Sequence, residues 1–295
     1  MDYISAKTIL SGYSSGEWFG CNYNMNIYRG CSHGCIYCDS RSECYHIDNF
    51  DEVRAKKNAL EILERQLQSK RKKGVVGTGS MSDPYNPFEE KYKLTRGALE
   101  LLDRYEFGVS IATKSPLITR DIDLLKRIKR HSPIIVKMTV TSFDDDLCKI
   151  VEPNVAVSSK RFDAIHKLSE NGIFTGILLM PVLPFIEDTN ENILRIIRLA
   201  KENGARFVYP AFGVTLRQNQ RLYFLKKLDE HFKGTSQKYI KEYRFSYECR
   251  SKRAAELWKI FKAECDKFNL LYKMKDIISS YKNEYEEKQM SFLDK

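Results

Sequence analysis

The sequence predicts an α/β fold: a parallel sheet closed wholly or partly into a (β/α)6 barrel, followed by a helical C-terminal extension. Two observations carry that prediction. From about residue 74 to 213 short β-like runs alternate with amphipathic helical stretches, and beyond residue 214 the alternation stops. Such a rhythm belongs to parallel sheets whose crossovers are helices.

In chain order, residues 1–23 form an N-terminal extension. A first strand near Asn24–Arg29, a long cysteine-bearing loop and a polar helix at about Asp51–Lys73 make the first unit. The later strands are expected at Gly74–Gly79, Gly108–Thr113, Ile134–Thr141, Ile173–Met180 and Phe207–Phe212. Between them Leu94–Tyr105, Asp121–Arg130, Ser159–Glu170 and Glu191–Asn203 carry apolar residues three and four apart, as Ile122, Leu125 and Ile128 do,. Asn171-Gly172 and Asn203-Gly204 supply helix stops,. The barrel therefore spans residues 24–213, a basic helical extension 214–285 and a polar tail 286–295. No internal repeat beyond the β/α alternation and no low-complexity stretch is evident.

At 42% apolar and 30% charged residues over 295 positions, the chain can bury a core of ordinary size, and intrinsic disorder is a poor reading,. No run approaches the ~20 apolar residues of a membrane span. The opening Met1-Asp2-Tyr3-Ile4-Ser5 lacks a basic-then-apolar signal pattern, so a cytoplasmic protein without a membrane partner is expected,. In that compartment the eight cysteines are buried thiols or metal ligands rather than disulfides,.

The decisive feature is Cys31-Ser32-His33-Gly34-Cys35-Ile36-Tyr37-Cys38, a Cys-x3-Cys-x2-Cys triplet. Iron–sulfur clusters take soft thiolates, and close spacing lets one loop wrap a cluster corner. Three ligands on a four-iron cluster leave one iron open to an outside molecule. A structural zinc site completed by His33, Cys44 or His46 is the alternative on spacing alone,. The triplet follows the first strand of a β/α barrel, where ligand-binding loops gather at the strand C-terminal ends.

Here the sequence resembles the radical S-adenosylmethionine (SAM) superfamily, whose TIM-like partial barrel carries this triplet after its first strand, with an aromatic residue, here Tyr37, before the third cysteine. Further pieces narrow the resemblance to the spore photoproduct lyase-like branch. They are Asn26-Ile27-Tyr28-Arg29-Gly30 before the triplet, Gly79-Ser80-Met81-Ser82-Asp83-Pro84-Tyr85, Thr95-Arg96, Thr113-Lys114-Ser115, Arg120-Asp121, Glu152-Pro153 and Pro181-Val182-Leu183-Pro184. Together they span residues 24–212.

The resemblance implies a [4Fe–4S] cluster on Cys31, Cys35 and Cys38, with SAM chelating the open iron. One electron, from a donor such as flavodoxin or ferredoxin, cleaves SAM to methionine and a 5′-deoxyadenosyl radical that abstracts hydrogen from a substrate. It also implies SAM contacts from Ser80 and Ser82 in the turn after the second strand. Lys114 at the end of the third strand would meet the SAM carboxylate or a ribose hydroxyl. Thr139 and Ser142 after the fourth would do the same. Arg161 is a weaker candidate carboxylate partner, read instead as a helix-surface arginine.

Two positions depart from the branch. Photoproduct lyases use a cysteine in the second-strand segment to return a hydrogen atom, and a tyrosine directly after the third cluster cysteine. This chain has Ser80 and Asp39 there. A serine O–H is too strong a bond to replace a thiol donor, so thymine-dimer repair by that relay is not expected.

Cys21 and Cys44 flank the loop as candidate hydrogen donors, accessory ligands or plain thiols, and Cys148, Cys249 and Cys265 carry no cluster spacing,. From Arg217 onward, 19 Lys and Arg face 12 Asp and Glu, which places seven of the ten surplus positive charges in the extension. With its aromatic residues that segment is either a nucleic-acid face or an amphipathic layer over the barrel. Finally, Gln289-Met290-Ser291-Phe292-Leu293 resembles the short peptide with which bacterial DNA-maintenance proteins dock to the replication clamp,. The expected activity is hydrogen abstraction from a nucleic-acid base, with a peptide or small metabolite as the alternative substrate. A zinc-stabilised binding protein of DNA maintenance is the non-catalytic alternative.

Overall fold

The computed structural model describes residues 1–13, 18–79 and 81–293, with side chains through residue 285. Seven strands make its main sheet: β1 (Leu10–Gly12), β2 (Tyr23–Met25), β3 (Val75–Thr78), β4 (Gly108–Thr113), β5 (Ile134–Thr139), β6 (Thr175–Leu179) and β7 (Val208–Pro210). Their order is β7-β6-β5-β4-β3-β2-β1, parallel throughout except for β1, which pairs antiparallel with β2. Six parallel strands in an open sheet are the partial barrel that the sequence predicts.

The first unit differs from its expectation. The run Asn24–Arg29 splits, because Tyr28–Arg29 leaves the barrel and pairs with Arg54–Lys56, beside Asp2–Ile4, in a separate three-stranded sheet. The polar helix then shrinks to α1 (Ala59–Gln68), whose buried face is Ala59, Ile62, Leu63 and Leu67. The remaining crossovers are α2 (Leu94–Arg104), α3 (Ile122–Lys129), α4 (Ser158–Glu170) and α5 (Asn190–Glu202). Each lies within a residue or two of the periodic stretch that signals it. Pro116–Asp121 forms a 3₁₀ turn, capped by the Ser115 hydroxyl, that feeds α3.

Alternation along each strand sorts the side chains into two cores. Val109, Ile111, Val136, Met138, Ile177 and Leu179 point outward into the helical layer, beside Leu102, Leu125, Ile165 and Ile196. Val75, Ile135, Leu178 and Phe207 point inward and meet Phe19, Ile277 and Tyr281. That inner cluster draws together residues from β3, β5 and β6 and the Phe207 that leads into β7, so the sheet curls on itself. It also plugs the end of the barrel remote from the cysteines.

The C-terminal segment folds over three faces of this barrel. Gly213–Thr215 and Glu248–Arg250 form a two-stranded ladder. Helices α6 (Gln220–His231) and α7 (Thr235–Tyr243) bury Phe224, Leu228 and Tyr239 against Cys35, Ile36 and Tyr37 of the cysteine loop. Helix α8 (Ala254–Phe268) joins the outer wall, where Glu264 pairs with Arg198 of α5 at 2.7 Å. Helix α9 (Met274–Leu293) runs beneath the barrel, and its Tyr281 hydroxyl donates to the Phe19 carbonyl at 2.6 Å. It continues through the segment read as a tail, while the side chains of Gln289–Leu293 lie outside the described residues. None of the described helices is long and apolar enough to cross a membrane.

Because Phe207 is wholly buried in the inner plug and stacks on Phe174 at 5.7 Å, Phe207→Ala should cost about 3–5 kcal/mol in urea unfolding,. A loss under about 1 kcal/mol would show that the inner cluster does not hold the curl of the sheet.

Candidate functional site

The strand C-terminal ends open onto a cavity of about 430 Å³ inside the barrel. Cys31, Cys35, Tyr37 and Cys38 line it from the loop after β2, and Gly79, Met81 and Ser82 from the loop after β3. Lys114 and Thr139 contribute from the ends of β4 and β5. Deeper in lie Cys21, Asn24, Gly77, Lys137 and Leu178, with Trp18 beside them. The three thiols of the triplet are free.

The cysteine loop keeps its shape through contacts that its sequence dictates. Gly34 adopts φ +69°, and a Cβ there would press on Pro153 and Asn154 at 3.1 and 3.0 Å. Cys31 N–H donates to the Phe50 carbonyl at 2.8 Å, and Ile36 N–H to the Val151 carbonyl at 3.0 Å. The Ser82 hydroxyl donates to the Gly30 carbonyl at 2.7 Å, which ties the loop after β3 to the residue before the triplet.

Two buried carboxylates organise the surroundings. Asp83 accepts from Thr113 Oγ1 at 2.6 Å, from Lys114 N–H at 2.8 Å and from Tyr85 N–H at 2.8 Å, with His33 Nδ1 3.8 Å away. Glu152 accepts from the Tyr37 hydroxyl, pairs with Arg161 and stands 3.9 Å from Lys114 Nζ. Burial pushes the Glu152 carboxyl up, but Arg161 and Lys114 outweigh it and hold the group below its usual range. Burial likewise opposes the charge on Lys114, and Cys35 with Glu152 reverses that, so this lysine is firmly protonated. His33 is pulled down by burial against the attraction of Asp83. Burial pushes the Cys31 thiol up to about 11, and Cys35 and Cys38 also upward. Ligation to metal would have to displace those protons.

Most of the residues expected to act together share this cavity: Cys31, Cys35, Cys38, Tyr37, Ser82, Lys114 and Thr139. Ser80 lies outside the described residues. Ser142 is not among the lining residues, and its hydroxyl is engaged in the turn that starts the helix Asp145–Val151, accepting from Asp144 N–H at 3.0 Å. Arg161 is not the surface arginine expected: it is wholly buried, donating to the Ala156 and Thr139 carbonyls and to Glu152. Of the flanking cysteines, Cys21 is on the cavity wall while Cys44 is exposed and stands off it.

The sequence reading missed Lys137. It sits within the apolar run Ile134-Ile135-Val136-Lys137-Met138, at an inward-facing position of the alternation, and that is the signal by which it was findable. Its side chain is enclosed, its ammonium donates to Ser110 Oγ at 2.7 Å, and burial brings its pKa down to about 8 against the opposing pull of Cys21.

The donor set fits an iron–sulfur cluster. Three soft thiols face one cavity, and a cluster takes each of them at a separate iron. Among the described residues no three His, Cys, Asp or Glu side chains converge on a point that a single ion would occupy.

This barrel and its cysteine-lined mouth define a radical SAM protein, and the sequence comparison agrees. The model of the radical SAM superfamily matches residues 25–200, and the chain belongs to that superfamily. An uncharacterized protein of Methanocaldococcus jannaschii, MJ0683, is 36% identical over 169 residues, 57% of this chain and 63% of that protein, so the match spans less than two thirds of the relative. A point variant of spore photoproduct lyase superposes with a TM-score of 0.65 at 12% identity, covering 92% of this chain and 82% of that one. Another variant of that lyase, with bound AdoMet and dinucleoside spore photoproduct, gives 0.59 at 14% identity over 86% and 77% of the two chains. These likenesses are of fold alone.

Glu152→Gln would leave Arg161 buried without its carboxylate and should cost about 3–5 kcal/mol in urea unfolding, a price that a surface pair would not exact; a change under 1 kcal/mol would remove Glu152 as the anchor of the loop. Lys137 behaves oppositely. Its folded pKa of about 8 lies below the ordinary lysine value of 10.5, so the folded chain binds fewer protons between those values. The penalty is therefore present in full below pH 8 and fades as pH climbs toward 10.5,. Lys137→Met should raise the stability of the cluster-free protein at neutral pH by about 1–3 kcal/mol, and a loss would assign the lysine a structural role.

Proposed function

We propose that this chain cleaves SAM reductively and removes a hydrogen atom from a base of a nucleic acid, as a repair or modification enzyme. The observation that carries the proposal is the grouping of the three triplet cysteines with Lys114, Thr139 and Ser82 around one cavity at the mouth of the barrel. Cys31, Cys35 and Cys38 would hold the [4Fe–4S] cluster. The cluster and SAM, when bound, supply the 5′-deoxyadenosyl radical, and a small redox protein of the flavodoxin or ferredoxin class supplies the electron.

The chain's own groups do the rest. Lys114, kept protonated beside Glu152, presents a cation to the SAM carboxylate. The Thr139 hydroxyl stands at the end of β5 for a ribose or carboxylate oxygen. Arg161 and Glu152 position rather than bind, because their charges are spent on each other. The α6–α7 layer seals the outer side of the cysteine loop with Phe224, Leu228 and Tyr239, and so keeps water from that side of the cluster,.

The choice of a nucleic acid is supported by the outer surface of the same layer. Phe245 is 94% and Tyr247 61% exposed, in the loop between α7 and the strand Glu248–Arg250. Lys226, Lys238 and Lys241 are exposed on the helices before it, and Lys233 in the turn that joins them. Cations that meet phosphates, interleaved with rings that stack on bases, are what an exposed strand selects. A replication-clamp contact through Gln289–Leu293 would bring the enzyme to DNA, and belongs to the same proposal.

Anaerobic reconstitution of the Cys35→Ala variant should give no broad absorbance near about 400 nm and no 5′-deoxyadenosine from SAM; turnover retained in that variant would refute the ligand set. Oligonucleotide affinity should fall roughly tenfold or more as salt rises several-fold, and Arg244→Glu with Arg250→Glu should flatten that slope. Weak binding without a salt slope would return the substrate to the peptide or metabolite class.

A further inference from the structure

The end of the barrel remote from the cysteines carries charge that the proposed reaction leaves unused. The crossover helices end there, and two of the chain's returns to the sheet are strongly basic. Lys70-Arg71-Lys72-Lys73 follows α1 and leads into β3, and Lys126-Arg127-Ile128-Lys129-Arg130 ends α3 before β5. Neither run contains an Asp or Glu.

Their contacts sort these cations into two groups. Lys73 Nζ donates to the Tyr105 carbonyl after α2, and Lys129 Nζ to the Gly172 carbonyl after α4, each at 2.7 Å. Arg127 pairs with Asp103, which also faces His131 Nε2 at 3.1 Å. These groups tie neighbouring turns together. Arg71, Lys72 and Arg130 do no such work: all three are exposed, and none pairs with a carboxylate among the described residues. A helix macrodipole favours a cation in the last turn. Arg65 already fills that place in α1, and Arg71 and Lys72 stand beyond the helix end.

The same surface continues beneath the barrel on both sides of α9. One cleft, of about 330 Å³, is lined by Lys72, Lys73 and Lys282 with Glu106. The other, of about 260 Å³, is lined by Lys129 and Arg206 with Glu284. Five cations against two carboxylates make this a surface for an anion of many charges. Like charges held side by side repel, and a polyanion relieves that repulsion while counter-ions are released. None of the large exposed apolar side chains among the described residues lies here, so the surface meets phosphates and not bases,.

We propose that the base of the barrel is a second contact for the phosphate backbone of the nucleic acid that reacts at the mouth, with Arg71, Lys72 and Arg130 as its free cations. It binds without regard to sequence and lengthens the footprint. The proposal rests on the nucleic-acid reading above. The six residues of β5 put about 20 Å between the two ends of the barrel,. At ~3.4 Å per nucleotide, a strand of about 5 stays at the mouth, and one of about 30 reaches round the wall.

The test titrates reconstituted, SAM-loaded enzyme with strands of those two lengths across a range of salt. Wild type is compared with the pair Arg71→Glu and Lys72→Glu, and with a control pair, Lys259→Glu and Lys262→Glu, exposed on α8. The base pair should weaken the long strand about tenfold and lower its salt slope by about one or more, and leave the short strand within about twofold. Long-strand binding unchanged by the base pair overturns the proposal. So does equal weakening by the control pair, which would show that total charge alone matters. Equal weakening of both strands by the base pair also overturns it, and a lowered melting temperature would then trace the loss to the fold. Vesicles of phosphatidylglycerol that bind through Arg71 and Lys72, with strand binding untouched, would give the surface to a membrane instead. Absence of salt-dependent binding of either strand in the wild type overturns the nucleic-acid reading and this proposal with it.

Discussion

The carboxylate of Glu152 is the point at which the cysteine loop is joined to the barrel. It receives the Tyr37 hydroxyl from the loop, the guanidinium of Arg161 from α4 and the field of Lys114 from the end of β4. Arg161 in turn donates to the Thr139 carbonyl, so β5 is held in the same network. The apolar residues of that loop, Ile36 and Tyr37, pack outward against the C-terminal layer, so its barrel side needs a polar anchor. Buried, fully partnered charge does that work, and it also sets the charge of Lys114.

The C-terminal segment completes what Glu152 begins. Its first two helices cover the outer side of the cysteine loop, the helix Ala254–Phe268 extends the barrel wall, and the last helix closes the far end. The two sequence readings of this segment, a nucleic-acid face or an amphipathic layer, are therefore compatible. The inward residues Phe224, Leu228 and Tyr239 form the layer. Exposed Lys226, Lys238 and Lys241, on the same helices, carry much of the local surplus of charge.

Legibility followed the physics of each feature. The strands and crossover helices were readable because periodicity records which face is buried, and the cysteine triplet because cluster ligation constrains spacing within one loop. Long-range pairing left no such trace. Nothing local reveals that Tyr28–Arg29 would pair with Arg54–Lys56, or that an arginine of α4 would turn inward to Glu152. Lys137 was legible in principle, as a charge inside an apolar strand. A strand buried on both faces reads as a continuous apolar run, however, and the interruption was passed over as part of the strand,. The Ser142 expectation came from a strand end drawn two residues long, since β5 stops at Thr139 and the hydroxyl falls in a turn.

The central claim is that a radical formed at the mouth of this barrel takes hydrogen from a base held within it. It is tested most directly by giving the reduced, SAM-loaded enzyme an oligonucleotide deuterated on its bases and measuring deuterium in the 5′-deoxyadenosine released. The account predicts label in that product, dependent on Cys35. SAM cleavage that proceeds with no deuterium from the nucleic acid, while a deuterated peptide or metabolite does transfer its label, would contradict it.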